Sequence, residues 1–218
     1  MNPSPFSWDK FNQMPLVGII RNLTLEEIQH IIPLYKEAGL TTLEITMNTP
    51  QAADIIHFAF ENYGQNLNIG AGTVCSEEDL EIALAAGAQF IVTPIINKKV
   101  IKASVKKGIP IFPGAYTPTE IYKAWTLGAS MVKIYPATSL GPEYIKDLKA
   151  PLNRLKVMPT GGISLGNLKE FLLAGSDGFG IGSQLFDKKL IKENDWMELQ
   201  AHFKAYVNAY LTAKPHQT

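Results

Sequence analysis

The chain has one cysteine, two arginines, four histidines and no surplus of charge. With Cys75 alone, an intrachain disulfide is impossible and a cysteine-rich metal site is excluded, and a reducing cytoplasm is a compatible location. Twenty basic side chains balance twenty acidic ones, which leaves no electrostatic footprint for nucleic acid or an anionic membrane. No apolar run approaches the ~20 residues of a membrane span. Residues 1–10 hold prolines and a tryptophan, with no basic stretch leading into an apolar one, so no secretion signal is read there. Metal catalysis is poorly provided for: His30, His57 and His202 fall on predicted helices, His216 falls in the tail, and Glu44 is the only carboxylate placed clearly at a strand end. The expectation is a soluble, cytoplasmic protein with a small-molecule ligand and no metal or other cofactor.

What the chain does have is a repeated pattern. Its 218 residues, 46% of them hydrophobic, are enough for one large core. Short apolar runs alternate with longer amphipathic segments, and eight strands are predicted at 16–21, 42–46, 67–72, 90–93, 109–113, 131–135, 155–159 and 178–182. Helix starts are marked by Thr24 with Glu27, Ser76 with Asp79, and Thr117-Pro118 with Glu120. Helix stops are marked by Gly39, Gly87, Gly108, Gly128 and Gly175. Eight β-then-α units without a break in composition predict an α/β fold, a single (β/α)8 TIM barrel. A doubly wound sheet would stop near five or six strands and show a glycine fingerprint after the first, where this chain has Ile19-Ile20-Arg21-Asn22. Residues 1–14 form an N-terminal extension with an extra helix over 5–14 under the barrel floor, 15–212 the barrel with a closing helix over 194–211, and 213–218 a tail.

Barrels of this kind place their sites at the C-terminal ends of the strands. Those ends carry Arg21, Glu44, Thr73, Thr93-Pro94, Pro113-Gly114, Lys133, Thr160-Gly161-Gly162 and Gly182-Ser183. Lys133 is the most informative, because Met131-Val132-Lys133-Ile134-Tyr135-Pro136 otherwise reads as a buried strand. A lysine there is an edge or snorkelling residue, a structural ion-pair partner, or a neutral amine kept as a nucleophile. Alternation along residues 42–46 puts Thr42, Glu44 and Thr46 on one face; if that face points inward, Glu44 converges on Lys133. Desolvation would then suit the lysine to attack and the carboxylate to move protons. Thr160-Gly161-Gly162-Ile163-Ser164 and Gly180-Ile181-Gly182-Ser183 read as glycine-rich helix entries whose N–H groups bind phosphate, or as tight turns alone. A phosphate-binding isomerase or synthase barrel, or a non-catalytic phosphosugar-binding barrel, would share those loops without needing Lys133.

Taken in order from about Pro15 to Phe186, Leu43-Glu44-Ile45-Thr46, Gly70-Ala71-Gly72-Thr73-Val74, Val92-Thr93-Pro94, Phe112-Pro113-Gly114, Val132-Lys133-Ile134-Tyr135-Pro136, Pro159-Thr160-Gly161-Gly162-Ile163 and Gly180-Ile181-Gly182-Ser183 resemble the 2-keto-3-deoxy-6-phosphogluconate (KDPG) aldolases. The resemblance implies a metal-free class I aldolase, a homotrimer, that cleaves KDPG to pyruvate and glyceraldehyde 3-phosphate, in the Entner-Doudoroff pathway. Some relatives also cleave 4-hydroxy-2-oxoglutarate. It further implies a Schiff base at Lys133 and proton transfer by Glu44. Thr73 and Pro94 would line the pyruvyl end, Tyr135 and Thr160 the wall, and Gly161, Gly162, Gly182 and Ser183 the phosphate end.

The resemblance has one departure. The gluconate enzymes carry an arginine for the substrate carboxylate where this chain has Asn48, so Arg21 is expected to take that carboxylate instead. Arg21, Asn48-Thr49-Pro50 and Gly141-Pro142-Glu143-Tyr144-Ile145-Lys146 resemble the sister 2-keto-3-deoxy-6-phosphogalactonate aldolases, whereas Thr160 matches the gluconate pattern. Gluconate is the first reading of the C4 epimer and galactonate the alternative.

Overall fold

The computed structural model describes residues 5–214. Residues 1–4 of the N-terminal extension and 215–218 of the tail, with His216, lie outside the described residues. The elements run α1 (Trp8–Gln13), β1 (Leu16–Ile20), α2 (Leu25–Glu37), β2 (Thr42–Thr46), α3 (Ala52–Tyr63), β3 (Asn68–Gly72), α4 (Glu77–Ala85), β4 (Phe90–Thr93) and α5 (Lys98–Lys106). They continue β5 (Ile111–Ala115), α6 (Pro118–Thr126), β6 (Val132–Ile134), α7 (Gly141–Lys149), β7 (Val157–Pro159), α8 (Leu168–Leu173), β8 (Phe179–Ile181), α9 (Lys188–Lys192) and α10 (Trp196–Ala213). All the pairings are parallel, in the order β7-β6-β5-β4-β3-β2-β1-β8, and a single bridge between Thr160 and Gly180 joins the last pair. This is the expected (β/α)8 barrel with its extra N-terminal helix.

Local chemistry explains the punctuation. Thr24, Ser76 and Thr117 each cap a helix, and the acidic residue three positions on returns the bond to the cap backbone, which satisfies two N–H groups at each helix start. After α2 and α4, Gly39 and Gly87 take left-handed φ angles of 95° and 98°, which a side chain would resist, and the chain turns into the next strand.

Strand alternation divides the core in two. Leu43, Ile45, Ile69, Ile91, Ile111, Val132 and Val157 point outward and pack against the helices. Val17, Phe90, Val92, Phe112 and Met158 point inward, where Phe6, Phe11 and Trp8 of the N-terminal segment close the barrel floor through ring contacts such as Phe6–Phe90, at 5.3 Å between centroids. An apolar plug at the bottom leaves the upper interior to polar side chains.

Four local expectations are corrected. The fifth strand begins two residues late and ends at Ala115, because the Ile109 N–H still closes the preceding helix by donating to Ser104 O (3.0 Å). The N-terminal helix starts at Trp8, since Ser7 caps it and the Phe6 side chain is taken into the floor. The glycine loops after β7 and β8 do not run straight into helices. Helix α8 starts only at Leu168, and a turn closed by Leu185 N–H and Phe186 N–H on Gly182 O separates β8 from α9. The closing helix begins and ends two residues beyond its expected span.

Candidate active site

Glu44 and Lys133 stand on inward faces of strands on opposite sides of the barrel, Glu44 paired in register with Ile19 and Gly70, Lys133 with Gly114 and Met158. Both are buried, at 1% and 4% exposure. The barrel makes room for them with glycines: a Cβ at Gly72 would overlap the Glu44 carboxylate, and one at Gly180 would overlap the Thr160 hydroxyl. Neither Glu44 oxygen accepts a hydrogen bond from any described residue, although both are buried. Desolvation pushes the Glu44 carboxyl above its ordinary range, opposed by the positive charges of Lys133 and Arg21. Desolvation likewise pulls the Lys133 amine down, the Glu44 charge opposing and the Arg21 charge assisting. Burial therefore favours the uncharged form of each, the neutral amine and the protonated carboxyl.

Above the pair opens a cavity of about 320 Å³, toward the lower end of the range for small-molecule sites. Lys133 forms part of its lining, with Arg21, Tyr135, Thr160, Gly161, Gly162, Gly182 and Ser183 around it. The Lys133 amine lies 5.0 Å from the centre of the Tyr135 ring. Thr160 is fixed in the wall by its N–H to Ile134 O (3.0 Å) and by Ala137 N–H to its own carbonyl (2.8 Å). Gly161 and Gly162 take successive left-handed φ angles of 92° and 76°, a conformation open to glycine that turns the loop back over the cavity.

Of the residues expected at the site, eight therefore line one cavity; Glu44 does not line it but is coupled by charge to Lys133, which does. Pro94 lines a second cavity, with Gly114, Tyr116 and Tyr135. Asn48 and Thr73 line neither. Asn48 is exposed, and Thr73 is held at a left-handed φ of 56°, an uncommon angle for a β-branched residue.

Several site neighbours had not been singled out from sequence. Asn22, Gln184 and Lys188 line the main cavity. Buried Thr49 ties the first two loops together, since its hydroxyl accepts from Asn22 N–H (3.1 Å) and is bonded to the Thr46 hydroxyl (3.0 Å). For Lys188 a signal existed, a basic residue in the stretch following the eighth strand. For Thr49 there was none, because a threonine before a proline reads as an ordinary loop residue. Among the described residues no group of three or more His, Cys, Asp or Glu is placed to hold a metal ion, and no helix is long and apolar enough to cross a membrane. His30 is stacked on Trp196, 5.0 Å between centroids, and His202 bonds Gln184 O; neither histidine lines the Lys133 cavity.

Fold and cavity together define a barrel enzyme with a lysine and a carboxylate buried under a glycine-rimmed opening. Comparison with known proteins narrows the class. Residues 9–202 match the model of the family described as KDPG and KHG aldolase. The chain is 36% identical over 198 residues to 2-dehydro-3-deoxy-6-phosphogalactonate aldolase of Escherichia coli K12, covering 90% of this chain and 97% of that one. It is also 36% identical over 192 residues to 2-dehydro-3-deoxy-phosphogluconate aldolase of Haemophilus influenzae, covering 88% and 90%. The crystal structure of KDPG aldolase from Legionella pneumophila, with pyruvate captured at low pH as a covalent carbinolamine, superposes with a TM-score of 0.83 at 27% identity, covering 90% of this chain and 96% of that one. The chain belongs to the KDPG and KHG aldolase family, and is a class I aldolase, a carbon–carbon lyase.

Proposed function

We propose that the protein cleaves 2-keto-3-deoxy-6-phosphogluconate to pyruvate and glyceraldehyde 3-phosphate, through an imine on Lys133. The observation that carries this reading is the buried Lys133 amine in the cavity wall, lowered by desolvation and coupled by charge to the unpartnered, buried Glu44 carboxylate. The neutral amine adds to the C2 carbonyl, and the carbinolamine loses water to give a protonated imine. Glu44, directly or through water, supplies the proton for that loss and then takes the C4 hydroxyl proton as the C3–C4 bond breaks. The bonding pair flows into the iminium to leave an enamine, which is protonated at C3, and water hydrolyses the imine to free pyruvate and Lys133. Thr73 and Pro94 are assigned to the pyruvyl end, Tyr135 and Thr160 to the wall, and Gly161, Gly162, Gly182 and Ser183 to the phosphate.

The test is borohydride reduction in the presence of pyruvate, read by peptide mass spectrometry. A single adduct at Lys133, lost in Lys133→Ala, is expected. A label at another lysine, or none, would overturn the mechanism.

The galactonate epimer is the second reading, and Arg21 in the cavity wall favours it, while a galactonate aldolase and a gluconate aldolase stand at equal identity. Steady-state kcat/KM for the two C4 epimers decides between them. Preference for the gluconate epimer is expected; tenfold or greater preference for the galactonate one, about 1.4 kcal/mol in transition-state binding, would reverse the assignment.

A further inference from the structure

We propose that Lys188 supplies the cationic contact to the substrate phosphate, and so makes the cavity selective for phosphorylated acids. The inference rests on the aldolase reading for the identity of the ligand, and on the cavity wall for the contact.

Three basic side chains, Arg21, Lys133 and Lys188, line the main cavity, and no Asp or Glu does. Arg21 directly follows β1, whose Ile19 pairs in register with Glu44, and its charge acts on Lys133, so the guanidinium belongs to the reacting end. Arg21, expected to take the substrate carboxylate, is then engaged there, and Lys133 by the keto carbon. A phosphate carries about −1.5 to −2 at neutral pH. The glycine turns that would receive it offer backbone dipoles but no formal charge, so Lys188 is the cation left for that end.

Its surroundings keep it available. Asp187 beside it is committed to capping α9, its Oδ1 accepting from Lys189 N–H (2.8 Å) and Leu190 N–H (3.2 Å). None of the ion pairs among the described residues involves Lys188. Phe186 and Leu185, both buried, anchor the segment that carries it. From there a flexible four-carbon stem can follow the phosphate as a point charge.

The test compares wild type with Lys188→Ala and Lys188→Arg on phosphorylated and unphosphorylated 2-keto-3-deoxy acids. Lys188→Ala is expected to raise KM for the phosphorylated acid about tenfold, the scale of one charge-assisted contact, with Lys188→Arg near wild type. Borohydride trapping of pyruvate and turnover of the unphosphorylated acid should be unchanged. In wild type KM should climb as pH falls through the second phosphate ionisation, near ~6, and the climb should be shallower in Lys188→Ala. Equal losses on both acids, or no loss on the phosphorylated one, would overturn the assignment while leaving the aldolase reading intact. If wild type traps no pyruvate, that reading fails, and inorganic phosphate titrated by 31P NMR still judges the contact. About tenfold weaker binding in Lys188→Ala supports it, and equal binding overturns it.

Discussion

Glu44 and Lys133 set opposite demands on pH. Folding raises the Glu44 carboxyl above its ordinary 4.5, so the folded chain binds the extra proton and stability is lost as pH climbs from 4.5 toward the raised value. Glu44→Gln should therefore be more stable than wild type at neutral pH and indistinguishable from it near pH 4, read by urea midpoints at the two pH values. For Lys133, lowered from 10.5, the unfolded chain holds the proton longer, so stability rises as pH climbs through the lowered value toward 10.5. The stabilised Glu44→Gln protein should nevertheless turn over roughly 100-fold more slowly if its carboxylate moves the protons, the usual scale for a general base. Near-normal kcat would make Glu44 a structural residue. Arg21→Ala should reduce kcat/KM by roughly 10- to 150-fold, the range of one charge-assisted hydrogen bond. Adding Asn48→Arg asks whether the two positions serve one carboxylate: recovery of activity is expected, and a stable double mutant no better than Arg21→Ala would separate their roles.

At the scale of elements, the site depends on how closely strands and loops approach. Gly72 on β3 faces Glu44 on β2 with no space for a methyl group. Gly72→Ala should displace the carboxylate and lower kcat with little change in the KM of the phosphorylated substrate, since the disturbance lies away from the glycine turns. Outside the barrel, the Tyr35 hydroxyl accepts from Gly18 N–H (3.0 Å) and donates to Thr42 O (2.6 Å), which clamps β1 to β2 just below Arg21 and Glu44. Its burial drives the phenol pKa far up, so the donor stays protonated across the working pH range. Tyr35→Phe leaves two buried backbone groups short of a partner and should cost about 1–3 kcal/mol in thermal or urea unfolding. A change below 0.5 kcal/mol, the scale of a neutral surface substitution, would mean that the strands hold themselves without it.

The whole molecule is asymmetric along its axis, with aromatic rings below and a polar opening above. Phe11 is a fully buried member of the floor, in ring contact with Phe6, Trp8 and Phe112. Phe11→Ala should cost about 3–5 kcal/mol by leaving a cavity there, yet change KM little in protein that remains folded. At the upper rim Ile95, Tyr116 and Tyr135 are exposed around the second cavity. The trimer that the family resemblance implies is checked by light scattering, which should give three times the 24.0 kDa of one chain.

The eight strands, the capping boxes and the helix-ending glycines were legible in the sequence, because each is governed by chemistry within a few residues. That Glu44 shares a strand face with Thr42 and Thr46 was legible too, since alternation fixes it. Whether that face pointed inward was decided by closure of the barrel, which set Glu44 on β2 and Lys133 on β6 to share one interior. Pro94 lines the second cavity, which shares Tyr135 with the Lys133 cavity, and Asn48 and Thr73 line neither. The same closure also brought in Lys188 and put Thr49 beneath Asn22. Local rules reach only as far as a turn or a strand, while distances across a barrel are fixed by packing contributed from every part of the chain.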